Sequence, residues 1–461
     1  MISMTAAKVA GFGIRKLGRG GGTAAPGLVA ERLDPALLTK LTAQLDHGAV
    51  IVAGTNGKTT TTRMVADTFE AMPWSVVHNR SGSNLVRGVV AAFIQRATLM
   101  GHPGGEIGVI EADEAALPEL VRRVRPRILL LNNLFRDQLD RYGELDAIAK
   151  LWRSELQHLD ATTTVIVNAD DPVLVGVTDN IPARRICFGL NERQHILDAL
   201  PHAADAAVCR NCGADLAYHA LYVSHLGDWY CPHCGRQRPQ LDYAGSDISL
   251  HGVETLSLAV TDPDSTVREL NVGVPGLYNA YNALAAAAVA REVGVSWEVI
   301  AVAFDAFRAA FGRIERIAYK GRNLTLVLVK NPTGFNEVLR MLTSSSGGLD
   351  LPTLIAINDL DADGRDVSWL WDVDFEMLAT GEGALATTGL RGADMANRLK
   401  YAGVDTSRIH PLPDDPAVGL DAFVDSLPEG DSGYVLTSYT AMLTLRKSLA
   451  DRGVVGAFWE Q

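Results

Sequence analysis

The hydrophobic pattern changes character along the chain. From residue 49 to about residue 190, short apolar runs ("AVIVA", "IGVIEA", "RILLLNN", "TTVIVNADD") alternate with segments of helical spacing. A run that is apolar at nearly every position suits a strand covered on both faces, so this rhythm predicts a parallel sheet with helices on either side. After residue 242 the pattern shifts. "ISLHGVETLSLAVTD" and "VRELNVGVP" alternate as antiparallel strands do. "YNAYNALAAAAVAREVGV" reads as a buried helix, and a second helix leads into "FGRIERI" at 311–317. A new α/β series then begins at "LTLVLVK" (324–330) and runs through "TLIAIND", "EGALATTG" and "GYVLTSY". The expected organisation is an N-terminal segment 1–45, a central domain 46–312 interrupted by an insertion at 205–242, and a C-terminal α/β domain 313–461.

Composition bounds the functions open to such a chain. Its 461 residues fit about three domains. Hydrophobic content of 47% with 21% charged residues suits a soluble globular protein. The net charge of −12 argues against nonspecific attraction to nucleic acid, which needs a cationic surface. No stretch approaches the roughly 18 consecutive apolar residues of a spanning helix. Residues 1–20 carry Lys8, Arg15, Lys16 and Arg19 without an acid, but Lys8 interrupts any signal-peptide core. The expected location is the cytoplasm, with at most peripheral contact at the inner face of the membrane.

Two segments carry phosphate chemistry. "VIVAGTNGKTTTTRM" runs from strand through glycine loop to helix. Gly54 and Gly57 let the backbone of Thr55 and Asn56 wrap a phosphate, Lys58 can reach the outer phosphates of ATP, and the Thr59 hydroxyl can hold Mg²⁺ beside Thr60. The first glycine lies three residues before the second rather than the usual five. "IGVIEADEAAL" places Glu111 at the C-terminal end of a presumed central strand, where a carboxylate can hold the same Mg²⁺. Asp113 and Glu114 compete with it for that role.

The insertion contains four of the five cysteines, Cys209, Cys212, Cys231 and Cys234, as two C-x2-C pairs eighteen residues apart. This is a zinc-ribbon pattern, and four thiolates would fill a tetrahedral site, so the Zn²⁺ is expected to be structural. Its three arginines and four aspartates give no basic excess, which weighs against nucleic-acid binding. Cys187 in "RRICFGL" reads as an inert core thiol.

The ordered set "GTNGKTTT", "VIEADE", "NLFRDQLDRYGE", "VNADDP", "VPGLYNAYNALAA", "FGRIE" and "LTSYTAML" resembles the Mur ligases over nearly the whole chain. That resemblance implies a central P-loop ATPase domain and amide formation through an acyl phosphate. It places Asn282 against the adenine, with Asn279 a less certain neighbour of the nucleotide, Arg313 near the phosphates, and Asn84 near the substrate or the γ-phosphate. The chain departs from the family at Gln138 and Tyr278, where histidine is usual. Where several members carry a carbamylated lysine, Lys150 is off the spacing and Arg153 lies nearer the expected place, which argues against a carbamate bridge.

The opening "KLGRGGGTAAPG", the four-cysteine insertion, "LVKNPTGFNEVL" and "NDLDADGRDVSWLWDVDFE" are similar to an amidating branch of the family. This branch amidates the α-carboxylate of D-isoglutamate in the lipid II stem peptide. Ammonia comes from a GatD-like glutaminase subunit in a heterodimer. The resemblance further implies that an aspartate of this chain completes the partner's Cys–His pair. Asp366 is the first choice and Asp372 the second. The rival expectations are an amino-acid-adding ligase of the Mur or folylpolyglutamate type, and a zinc-ribbon nucleic-acid ATPase.

Overall fold

The computed structural model describes residue 8 and residues 25–79, 84–136, 145–202, 204–308, 314–343 and 349–456. Six strands are laid down first: β1 (Ala49–Ala53), β2 (Val76–His78), β3 (Ile107–Glu111), β4 (Ile128–Leu131), β5 (Thr164–Asn168) and β6 (Arg184–Leu190). The insertion contributes the hairpin β7 (Ala217–Val223) and β8 (Leu226–Tyr230). Then come β9 (Tyr243–His251), β10 (Thr255–Thr261) and β11 (Val267–Val272). Apart from the hairpin they form one nine-stranded sheet in the order β11-β10-β9-β6-β5-β4-β1-β3-β2.

β1 through β6 pair in parallel, as the apolar runs predict, and β9 joins β6 in parallel before β10 and β11 extend the sheet antiparallel. Along β1, Ala49, Ile51 and Ala53 enter one core and Val50 and Val52 enter the other. Successive side chains point to opposite faces, so a strand covered twice is apolar throughout. β2 is absent from the expected strands, because three residues at a sheet edge carry almost no periodic signal.

The helix Leu277–Val293 lies against the helix Lys58–Glu70, with its alanine run fully buried. Alanine lets two backbones approach closely, and this holds Asn279 and Asn282 beneath the start of the other helix.

A second, six-stranded sheet comprises β12 (Ile314–Tyr319), β13 (Arg322–Leu328), β14 (Thr353–Ala356), β15 (Leu385–Thr388), β16 (Ile409–Pro411) and β17 (Ser432–Thr437). Its order is β12-β13-β17-β14-β15-β16, parallel except for β12. The C-terminal ends of β13 and β14 lead into "KNPTGF" and the aspartate-rich loop.

β6 and β9 are parallel neighbours, so a crossover must join them, and the insertion forms that crossover. It is not an appendage. Trp229 enters one core of the large sheet and donates its indole N–H to the Ala169 carbonyl at 2.9 Å, while Tyr222, Val223 and Leu226 enter the other core. Arg238 binds the fully buried Asp170 at 2.8 Å and the Leu190 carbonyl at 2.7 Å. Burial pushes the Asp170 carboxyl up, against the opposing pull of Arg238, the Leu190 N–H and the Tyr281 hydroxyl.

Truncating a 1%-exposed tryptophan at this junction leaves a large cavity. Trp229→Ala should therefore lower unfolding stability by about 3–5 kcal/mol, read as a shifted urea midpoint.

Candidate active site

The loop from Gly54 to Gly57 joins β1 to the helix Lys58–Glu70. Gly57 has φ +80°, and a Cβ there would lie 2.0 Å from Asn282 Oδ1. At Gly54 a Cβ would lie 3.0 Å from the Asn133 backbone. Both glycines are therefore required by close packing behind the loop, besides any approach of a ligand in front of it. The helix has no side-chain cap at Gly57, which suits an anion at its N-terminus.

The loop is held from behind by the residues that follow β4. Thr55 donates its N–H to the Asn133 carbonyl at 3.0 Å. Its hydroxyl donates to the Phe135 carbonyl at 3.1 Å and accepts from the Phe135 N–H at 3.0 Å. The Asn133 amide accepts from the Asn56 N–H at 2.8 Å and donates to the Asn56 carbonyl at 3.0 Å. Asn282, 2% exposed, accepts from the Thr61 hydroxyl and Asn132, and donates to Asn279 at 2.9 Å. Asn282 and Asn279 thus lie beneath the loop and helix start. Arg313 and Gln138 lie outside the described residues.

Lys58 and Thr60 are buried, and Thr59 is half-buried at the helix start. The Lys58 ammonium donates to the Thr55 carbonyl at 3.1 Å and to Glu114 Oε1 at 2.9 Å, in a pair with both side chains under 10% exposed. Glu114, a competitor for the metal in the sequence reading, is here the anion beside the loop lysine. Glu111 is 4% exposed and lies in register with Val52, two residues before the loop. Asn79 fixes its backbone on both sides, accepting from the Glu111 N–H and donating to its carbonyl. A glutamate and a threonine hydroxyl are hard oxygen donors suited to Mg²⁺. The Asn84 carbonyl accepts from the Asp113 N–H at 3.0 Å, which brings Asn84 to the same turn. Lys150 and Arg153 point to solvent.

The second sheet meets this site directly. Asn331 caps its own helix by accepting from the Gly334 N–H, and it exchanges hydrogen bonds with the Asn56 side chain (2.8 and 3.4 Å). Arg136 pairs with Asp205 and, at 3.3 Å, with Asp372.

The aspartates after β14 have different fates. Asp359 pairs with Arg391, Asp361 with Arg365, and buried Asp363 binds the backbone N–H and hydroxyl of Thr440. Asp366 is exposed, and its carboxylate accepts from the Ser368 N–H at 2.8 Å. That backbone contact, followed by one from the Ser368 hydroxyl, holds Asp366 below the usual carboxylate range.

The ligand atoms of Cys209, Cys212, Cys231 and Cys234 all lie within 4.8 Å of one another. Each pair turns on a glycine with positive φ, Gly213 at +75° and Gly235 at +73°. The repeated CxxCG follows from this, since each turn needs a left-handed residue after its second cysteine. The Arg236 N–H draws the Cys234 thiol down to about 6. The Ala214 N–H acts likewise on Cys212, but burial and the three neighbouring sulfurs push it up to about 12. Packed so closely, four thiolates need a cation to stay ionised together, so the cluster could bind zinc. Cys187 is buried in β6, with its thiol pushed up by burial.

Residues 52–209 match the Mur ligase middle domain family, and residues 328–442 match the MurT ligase C-terminal family. The chain is 32% identical over 465 residues to the Streptococcus pneumoniae protein named lipid II isoglutaminyl synthase (glutamine-hydrolyzing) subunit MurT, covering 98% of both chains. It is 32% identical over 403 residues to the Staphylococcus aureus protein of the same name, covering 87% of each. Among solved structures, its fold resembles a pseudomurein peptide ligase type C from Methanothermus fervidus (TM-score 0.67, 16% identity, covering 88% of this chain and 78% of that one). It also resembles MurF from Thermotoga maritima in complex with ADP (TM-score 0.63, 16% identity, 91% and 84%).

The sulfur geometry predicts one zinc per chain by atomic emission after anaerobic purification. Cys231→Ser, at a buried ligand position, should lose that zinc and lower the thermal midpoint.

Proposed function

Since the chain belongs to the Mur ligase family, on its MurT branch, we propose that it catalyses ATP-dependent amidation of the α-carboxylate of D-isoglutamate in the lipid II stem peptide, with ammonia from a GatD-like glutaminase subunit. The product is D-isoglutamine. What carries the reading is the near-complete match to MurT subunits, joined to a buried loop lysine at the centre of the nucleotide site. The four-cysteine ribbon has a structural Zn²⁺ and no catalytic part.

A carboxylate is a poor electrophile, so it must first be activated. One carboxylate oxygen attacks the γ-phosphorus of ATP, the bond to the bridging oxygen breaks, and ADP leaves. Ammonia then attacks the acyl carbon, phosphate departs, and the nitrogen loses its extra proton. No protein nucleophile takes part. Lys58 exchanges Glu114 for phosphate oxygens when the triphosphate enters, and the uncapped helix start supplies N–H groups to the transferring phosphoryl group. Thr59 and Glu111 would hold Mg²⁺, which neutralises phosphate charge. Gly54, Thr55, Asn56 and Gly57 shape the phosphate cradle, Asn282 and Asn279 support it on the adenine side, and Asn84 faces the substrate.

Glutamine hydrolysis needs an activated nucleophile, and buried Cys187 is not one. The partner therefore supplies the thiol and the imidazole, and this chain supplies the acid that orients the imidazole. Asp366 suits that role over Asp372. It is exposed, ionised at neutral pH and fixed by a backbone N–H, whereas Asp372 faces Arg136. The 46–312 and 313–461 domains would then carry the two half-sites, nucleotide and partner.

The test is reconstitution with lipid II and Mg-ATP, with and without the glutaminase, supplying glutamine or ammonium and following stem-peptide mass. Absence of amidation from either nitrogen source, with active glutaminase present, would overturn the proposal. Asp366→Asn should abolish glutamine-driven amidation while sparing the ammonium-driven reaction; equal loss from both would place Asp366 outside the glutaminase triad. Lys58→Ala should reduce both by at least about 10²-fold, measured as initial rates.

A further inference from the structure

The tip of the β7–β8 hairpin holds two local irregularities. Ser224, buried and not glycine, has φ +50°. Beside it, His225 is 0% exposed, and neither ring nitrogen has a hydrogen-bond partner. Asp171 Oδ1 lies 3.6 Å from its Nε2, beyond hydrogen-bond reach. A strained turn and an unsatisfied buried ring persist together only where the surroundings over-determine them, and such places are often functional.

What the ring touches is informative. Its centroid lies 5.0 Å from that of Phe135, and Phe135 clasps the Thr55 hydroxyl through both its N–H and its carbonyl. Asp171, which also lies close to His225, accepts from the Leu134 N–H at 2.8 Å. The segment behind the phosphate loop is therefore itself supported by the hairpin tip. The hairpin's other end carries the cysteine pairs, one strand-length away, or roughly 20 Å at the usual rise per residue.

We propose that His225 is a positioning residue for the nucleotide loop, setting Thr55 through the ring of Phe135. The ribbon thereby supports ATP binding from behind, at a distance from its own metal. The inference rests on the reading of residues 54–59 as the nucleotide loop. It needs the ring's shape and its tilted contact with Phe135 rather than its charge.

The experiment measures the affinity of a fluorescent ADP analogue with Mg²⁺ for the full-length, zinc-loaded chain, with zinc content and thermal midpoint recorded for each variant. His225→Ala should weaken binding about 3- to 10-fold at unchanged zinc content, while His225→Phe stays within about twofold. His219→Ala, on the exposed side of the same hairpin, should leave affinity unchanged. If His225→Ala fails to fold, His225→Leu replaces it and is combined with Phe135→Leu. The double variant should bind no more weakly than the worse single one. A lowered midpoint with unaltered affinity, a His225→Phe loss equal to that of alanine, or additive losses in the leucine pair would each overturn the inference. Failure of the unaltered chain to bind the analogue would instead overturn the nucleotide-site reading.

Discussion

A loop that offers the N–H groups of a helix start to a phosphate cannot use those groups to hold itself in shape, so the residues before the helix must be held from behind. Here the residues just past β4 do this. Asn133 fixes both the N–H and the carbonyl of Asn56, and Phe135 fixes the hydroxyl of Thr55. The glycines follow from the same constraint. With Asn282 Oδ1 2.0 Å from a Cβ position at Gly57, the support is too close for any side chain. Tight backing of this kind preorganises the donors, so that little reorganisation is needed when charge develops on the phosphoryl group.

Three parts of the chain converge on that backing. The Ala-rich helix brings Asn279 and Asn282 under it, the insertion brings His225 against Phe135, and the second sheet reaches it through the Asn56–Asn331 amide pair. Asn331 is well placed to link the two sheets because its carbonyl oxygen also caps the helix Pro332–Thr343. A shift of that helix would move Asn331 and be felt at the phosphate loop. The Arg136–Asp372 pair adds a second bridge between the sheets, partly exposed and so weaker.

Much of this architecture was legible in the sequence, because strands buried on two faces, glycine loops and paired cysteines leave strong local signals. The parallel strands, the antiparallel extension, the buried helix and the gathered sulfurs all follow from such patterns. Three things did not. β2 is too short for a period to register. The Lys58–Glu114 pair depends on how the turn after β3 folds back towards the loop, and "EADE" alone cannot tell which acid meets the lysine. Most of all, the paired cysteines mark the insertion as a metal-held segment, and nothing in their spacing shows that it packs into the cores. In the fold its Trp229 and Tyr222 enter two different cores. An apolar residue that packs against another element looks no different in sequence from one that packs locally.

The charges around the loop complete the argument. A buried ammonium without a partner is costly, so the 9%-exposed Lys58 must have an anion at all times. In this fold that anion is Glu114. On the proposed reading the phosphates of ATP would enter by exchange, and the displaced carboxylate beside them would repel their charge. Nucleotide affinity would then be a difference between two ion pairs and not the strength of one, with the lysine desolvated and aligned throughout. Such an arrangement favours the transition state over the ground state, because charge shifting onto the transferring phosphoryl oxygens meets a cation that was already dry and fixed.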